Sequence, residues 1–195
     1  MSASPPPNST QPASRAEWRA WLSKHHPRDE GVWLIRFKKA ANQPTVSVND
    51  AIAEAIAFGW IDSLPRKLDN ERTMLYVAPR KPGSGWSRIN KAHVERLLAN
   101  DQMAPAGLAA IERAKADGSW SMLDDVENLV VPDDLEAAFA AHPPAAEEWK
   151  AFPRSVKRGV LEWIVQAKRP ATRAKRILET ATMAQNGERA NQWRR

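Results

Sequence analysis

The sequence predicts an α+β fold, a small antiparallel sheet with packed helices followed by a C-terminal helical module. Three observations lead there. Short alternating apolar runs occur in the first half, helical periodicity separates them, and beyond Pro132 every segment is helical in pattern.

In "RAEWRAWLSKHH" (15–26), Trp18, Trp21 and Leu22 recur at helical spacing, and Pro27 ends the helix. "GVWLIRFKK" (31–39) alternates Trp33, Ile35 and Phe37 with Leu34, Arg36 and Lys38, a half-buried strand whose first set needs cover. "SVNDAIAEAIAFG" (47–59) opens with Ser47 and Asp50 in capping-box spacing. It then places Val48, Ile52, Ala55, Ile56 and Gly59 on one helical face. "WIDSLPRKL" and "RTMLYVAP" read as a hairpin around 69–72, with Pro65 confining its first strand to a sheet edge. A helix after Ser87 carries Ile89, His93, Val94 and Leu97, and another runs over 104–118 to a stop at Gly118. The acidic stretch 120–132 reads mostly as loop. Helices follow at 133–141, 145–151, 155–168 and 171–184. The last two carry apolar stripes, Val156, Val160, Trp163, Ile164 and Ala167, then Ala174, Ile177, Leu178 and Ala181.

These patterns divide the chain into a disordered proline-rich tail (1–14), an α+β portion (15–118), a helical module (133–186) and a disordered basic tail (187–195). A length of 195 residues with 43% hydrophobic content suffices for a real core. The absence of cysteine excludes disulfides and thiolate metal sites. No apolar run approaches the ~20 residues of a membrane helix. The first residues lack the basic and apolar regions of a secretory signal, so the expected place is the cytoplasm, with no membrane insertion. His25, His26, His93 and His142 show no metal-ligand spacing, and no dinucleotide or phosphate-loop motif occurs. Neither metal nor cofactor is expected.

The net charge of +6 is unevenly spread, with residues 101–149 strongly acidic and 150–195 strongly basic. Docking of the basic segment on the acidic one is the simpler reading. The alternative is a nucleic-acid surface, since Arg169, Arg173 and Arg176 align on one face after a short turn at Pro170 and could track phosphates.

"APRKPGSGWSRIN" (78–90) combines cations, glycines and an indole ahead of a helix start. Such an end offers unpaired N–H groups and a positive dipole to an anion. Arg80 and Lys81 supply charge, Ser84 and Ser87 supply hydroxyls, and Trp86 offers a face for stacking or a cation–π contact. Trp60 and Asp62 leave the nearby "FGWID" turn, and Asp62 could hold Arg80 in a bidentate pair. Together with Asn90 these residues form the candidate ligand site; the plainer reading is a proline–glycine turn with a structural arginine. "GWSRI" lacks the last glycine of a nucleophile elbow. A Ser87–His93–Asp62 hydrolase is therefore disfavoured, and Ser87 reads as a helix cap.

Taken in order, "GVWLIRFKK", "AIAEAIAFGWIDS", "APRKPGSGWSRINKAHVERL", "MAPAGLAAIERAKADGSW", "VPDDLEAAF" and "QAKRPATRAKRI" resemble the YdeI/OmpD-associated family over residues 15–187. The resemblance implies a bacterial protein linked to protection against bacteriocins and other antimicrobial peptides, and to stress. It also implies a YjbR/CyaY-like first part and a small helical second part, with no established reaction. The residues matching its most recognisable motifs are Gly59, Trp60, Ile61, Asp62, Pro79, Arg80, Trp86, Ser87 and Asn90. Ala57 departs from it, because many members carry a bulkier residue or cysteine there. The expectation is a non-enzymatic binding protein, its partner a small anion or a protein. Nucleic-acid binding, or an enzyme acting on an anionic small molecule, are the alternatives.

Overall fold

Strands β2 (Val32–Phe37) and β4 (Arg72–Pro79) form the middle of a four-stranded sheet whose edges are β1 (Ser9–Thr10) and β3 (Trp60–Lys67), in the order β1-β2-β4-β3. The computed structural model describes residues 4–192, and the chain divides into two units, Met1–Trp120 and Ser121–Arg195. The fold is α+β, as the sequence predicts. β2 and β4 are antiparallel, with Trp33 opposite Tyr76 and Leu34 opposite Leu75, and β3 and β4 close the expected hairpin. Pro65 lies on the edge strand at a register shift after Asp62, where its missing N–H leaves no neighbour unsatisfied.

The sheet is not wholly antiparallel, because β1 pairs parallel to β2. This corrects the disordered tail expected over 1–14. Trp33 N donates to the Asn8 carbonyl at 3.0 Å, Asn8 Nδ2 donates to the Gly31 carbonyl at 2.6 Å, and Pro12 is buried. Composition marks such a segment as unable to fold alone, yet the open edge of β2 supplies its hydrogen bonds. Residues 1–3 of that tail lie outside the described residues.

Helices α1 (Arg15–His25), α2 (Val48–Ala57), α3 (Arg88–Ala99) and α4 (Pro105–Ala116) belong to the same unit. α2 is its centre, in contact with α1, α3, α4 and β3. Ala51, Ala53, Ala55, Ile56 and Ala57 are all buried, whereas Val48, expected inside, is 48% exposed in the first turn. Small side chains let neighbours approach closely. Trp18 Nε1 donates to the Ala51 carbonyl at 3.0 Å, and Gly107 of α4 lies against the Ala57 carbonyl.

The strand phase departs from the expected one, although Ile35 of the expected set is buried. Val32, Leu34 and Val77 enter the core with the helices, while Trp33 and Phe37 are half-buried on the opposite face. There Trp33 meets Tyr76 edge-on at 5.1 Å, beneath the Arg66 guanidinium at 5.4 Å. Residues 32–35 are apolar on both faces, so no polar partner fixes the phase. Arg36, in phase with Val32 and Leu34, donates its Nε–H to the carbonyl of the buried Val46 at 2.6 Å.

The second unit holds α5 (Asp124–Asn128), α6 (Asp133–Ala141), α7 (Ala145–Ala151), α8 (Arg154–Val165) and α9 (Pro170–Gln185). α9 packs against α6, α7 and α8, burying Leu135, Phe139, Trp149, Val160, Ile164 and Ile177. α5 occupies a stretch expected to be mostly loop. In α9 the buried stripe is Ile177, Thr180, Ala181 and Ala184; Ala174 and Leu178, expected inside, are exposed. Ala190 is 2% exposed, so the tail expected over 187–195 packs on the core at that point, and 193–195 lie outside the described residues.

Two glycine substitutions test this packing in opposite senses. A Cβ at Gly107 would strike the Ala57 carbonyl, whereas one at Gly159 within α8 meets nothing within 4 Å. Gly107→Ala should destabilise the first unit by about 1–3 kcal/mol. Gly159→Ala should stabilise the second by about 0.5–1 kcal/mol. Denaturant unfolding followed by circular dichroism checks both signs.

Candidate functional site

Lys81, Pro82, Gly83 and Ser84 form a tight turn after β4. Ser84 N donates to the Lys81 carbonyl at 3.2 Å, and Gly83 has φ 72°. Proline at the second and glycine at the third position is what a type II turn requires. The turn is anchored outside itself, since Gly83 N donates to the Asp117 carboxylate at 3.0 Å. Asp117, at the end of α4, also accepts from Ser119 N at 2.9 Å. The bonds from Ser119, then that from Gly83, hold its carboxyl below the usual carboxylate range.

Arg80 precedes the turn and is only 8% exposed. Its guanidinium lies 3.8 Å from the centre of the Trp86 ring. Nη1 donates to the Gly85 carbonyl at 3.0 Å and more weakly to that of Ser84 at 3.4 Å, closing the loop on itself. The bidentate pair with Asp62 does not form; Asp62 acts on Arg80 only through space. Burial lowers the guanidinium to about 10, opposed by Asp62, so it keeps its proton at neutral pH.

No protein acceptor reaches Arg80 Nε, Arg80 Nη2 or Trp86 Nε1, although all are buried. Nε and Nη2 form one edge of the guanidinium. Elsewhere in the chain that edge grips a carboxylate: Arg72 on Asp69, Arg158 on Glu127 and Arg173 on Asp134. At Arg80 no carboxylate takes that edge, and the residue lines a cavity of about 10 Å³ together with Trp86, Ala110 and Ala114. That is room for one water-sized group. Lys81 and Arg113, both exposed, also line it.

Of the candidate residues, Arg80, Lys81, Ser84 and Trp86 therefore share one cavity, and Trp60, Asp62, Ser87 and Asn90 do not line it. Trp60 is a core residue, 1% exposed, whose Nε1 donates to the His26 carbonyl at 3.1 Å. Ser87 caps α3 by accepting from Asn90 N at 3.3 Å. Sequence reasoning missed Arg113, Asp117 and Ser119; the only local signal was a carboxylate at a helix end.

A second polar cluster lies between α1, α2 and α3. Glu54 is fully buried, taking Arg15 Nε at 2.5 Å and Arg19 Nη1 at 2.7 Å. Beside it is a cleft of about 160 Å³ lined by Arg15, Asp50, His93, Arg96, Asn100 and Gln102. His93 is 2% exposed, and its Nδ1 lies 2.9 Å from Arg96 Nη2. Burial, then the Arg96 charge, lowers its pKa, with Asp62 and Asp50 pulling the other way. An imidazole facing an arginine donor accepts at Nδ1 and carries its proton on Nε2.

In the second unit the three aligned arginines meet different fates. Arg173 forks onto Asp134 at 2.7 and 2.9 Å, and Arg176 donates to the Trp163 carbonyl beneath its own contact with that ring. Arg169 is exposed. Two of the three are thus held internally. Among the described residues no group of His, Cys, Asp and Glu stands close enough to hold a metal, and no helix is long and apolar enough to cross a membrane.

Two family models match the chain. Residues 10–110 match the domain of unknown function DUF8412, and residues 128–187 match the family described as bacteriocin-protection, YdeI or OmpD-associated. The resemblance stated from the sequence holds over this second part; the match over the first part lends no support to the YjbR/CyaY-like expectation. No curated relative matches, and no solved structure does.

His93 gives this region a pH signature. Its pKa is lowered in the fold from 6.5, so its contribution is fully present above that value. Below it the unfolded chain takes up the proton first, and stability is lost as pH falls towards the folded pKa. His93→Gln, which keeps an acceptor for Arg96, should flatten the fall in unfolding midpoint between pH 7 and pH 5 relative to the unmodified protein. Parallel curves would contradict the assignment.

Proposed function

This chain belongs to DUF8412, a family defined by a domain of unknown function, and we propose that it is a non-enzymatic cytoplasmic binding protein whose first unit captures a small oxyanion at the Arg80–Trp86 cavity. The observation that carries the reading is the set of buried donors without a protein acceptor, Arg80 Nε and Nη2 with Trp86 Nε1. A buried donor left unmatched costs about 1–3 kcal/mol, and more on a charged group. An oxygen atom from a ligand removes that penalty.

In this reading one oxygen of a carboxylate or phosphate enters the cavity, while Lys81 and Arg113, which also line it, attract the remainder of the anion outside. Trp86 Nε1–H supplies a further bond to that oxygen. Binding rather than reaction is favoured because Ser87 is occupied as a cap and the neutral His93 is engaged by Arg96. A protective role of the kind named for the family matching residues 128–187 would then be exerted by sequestering or sensing an anionic molecule.

Titration with phosphate and with acetate, followed by calorimetry, should give saturable binding. Arg80→Lys keeps the charge but loses the fork, and should weaken binding by about 1.5–3 kcal/mol. Trp86→Phe, which keeps the ring and loses the N–H, should weaken it by about 0.5–1.5 kcal/mol. Lys24→Ala should change nothing. Absence of saturable binding for either anion would leave Arg80 as a loop-closing residue only.

A further inference from the structure

Unlike the cavity at Arg80, one concavity of the second unit is mainly apolar. It is a groove of about 590 Å³ with Leu129, Val131, Phe139, Ala140, Ala146 and Trp149 along it, and with Glu136, Lys150 and Lys157 at its border. The volume falls within the roughly 300–1,000 Å³ of small-molecule sites. Its wall is built deliberately. Leu129 ends α5 with φ 59°, a conformation branched side chains rarely adopt, and the chain then reverses into Pro132 at the start of α6.

The charges beside the groove are the second observation. In this unit Arg158 is held by Glu127 and Glu162, and Arg173 by Asp134. Lys150 and Lys157 make no such pair: Lys157 Nζ donates to the Lys150 carbonyl at 3.1 Å, and neither ammonium meets a carboxylate among the described residues. Glu136 forms no ion pair with either. Two ammonium groups against one carboxylate give the border a positive balance next to an apolar floor.

We propose that this groove binds an amphipathic carboxylate, an acyl or arylalkyl chain lying along Phe139 and Trp149 with its carboxylate at Lys150 and Lys157. The apolar floor supplies most of the attraction through area removed from water, and the lysines select the sign of the head group. A cationic amphiphile of the same shape is repelled by the same border. The site is independent of the Arg80 cavity, being built from residues 129–157 alone.

Calorimetric titration of the full chain with decanoate below its micelle concentration tests it, with decyltrimethylammonium as the oppositely charged counterpart. Decanoate should saturate, and the cation should bind at least about tenfold more weakly, the size of one lost charge contact. Ala140→Glu, at an exposed position lining the groove, should weaken decanoate by about tenfold or more with an unchanged melting temperature. Lys150→Glu should do the same by reversing the border charge, and it serves if Ala140→Glu fails to fold. Decanoate binding that survives both substitutions, equal binding of the two amphiphiles, or binding of an amphipathic peptide with none of decanoate, would overturn the proposal.

Discussion

A charged guanidinium is buried in the first unit with one edge satisfied and the other not. Arg80 is held by two loop carbonyls and by the face of Trp86, at 3.8 Å from the ring centre. Burial alone would favour the neutral form, but a pKa of about 10 keeps the charge in place at neutral pH. The loop 81–87 follows from that arrangement. Its glycines permit the turn, Asp117 clamps the turn amide, and Ser87 starts α3 directly behind Trp86. Removing the arginine would leave two carbonyls and an indole without their organising group.

The chain treats its other buried charges differently, and the contrast gives the Arg80 edge its meaning. Glu54 is fully buried but receives two arginines, so its desolvation is offset on both oxygens. Asp69 takes Arg72 along with the backbone amides of Glu71 and Arg72, and Glu127 takes Arg158. In each of these the Nε-bearing or terminal donors meet carboxylate oxygens supplied by the fold. At Arg80 the equivalent carboxylate, Asp62, stays out of hydrogen-bond reach, and what the fold supplies instead is a cavity.

Much of the architecture was legible from local signals. Ser47 and Ser87 cap the helices they were expected to cap, Pro65 sits on an edge strand, and α6 and α7 have the expected bounds. What failed was decided by tertiary context. A strand apolar on both faces gives no phase, so Val32 and Leu34 were misassigned relative to Trp33 and Phe37. Residues in the first turn of a helix lie beyond the packed face, so Val48 and Ile89 are exposed despite their periodicity. A polar segment such as Ser9–Thr10 becomes a strand because the edge of β2 takes up its hydrogen bonds. In the site, the turn and its cation were readable, but Arg113 arrives from α4 and Asp117 and Ser119 from the turn after it, and no sequence spacing announces that approach.

The most direct measurement is nitrogen-15 NMR of the Arg80 Nε–H and Trp86 Nε1–H groups during titration with acetate. If one outside oxygen engages both, the two resonances shift together and saturate at the same concentration, and Arg80 Nε–H exchange with water slows. Resonances that stay fixed while acetate moves signals elsewhere, or that shift with different midpoints, would contradict the shared oxyanion site.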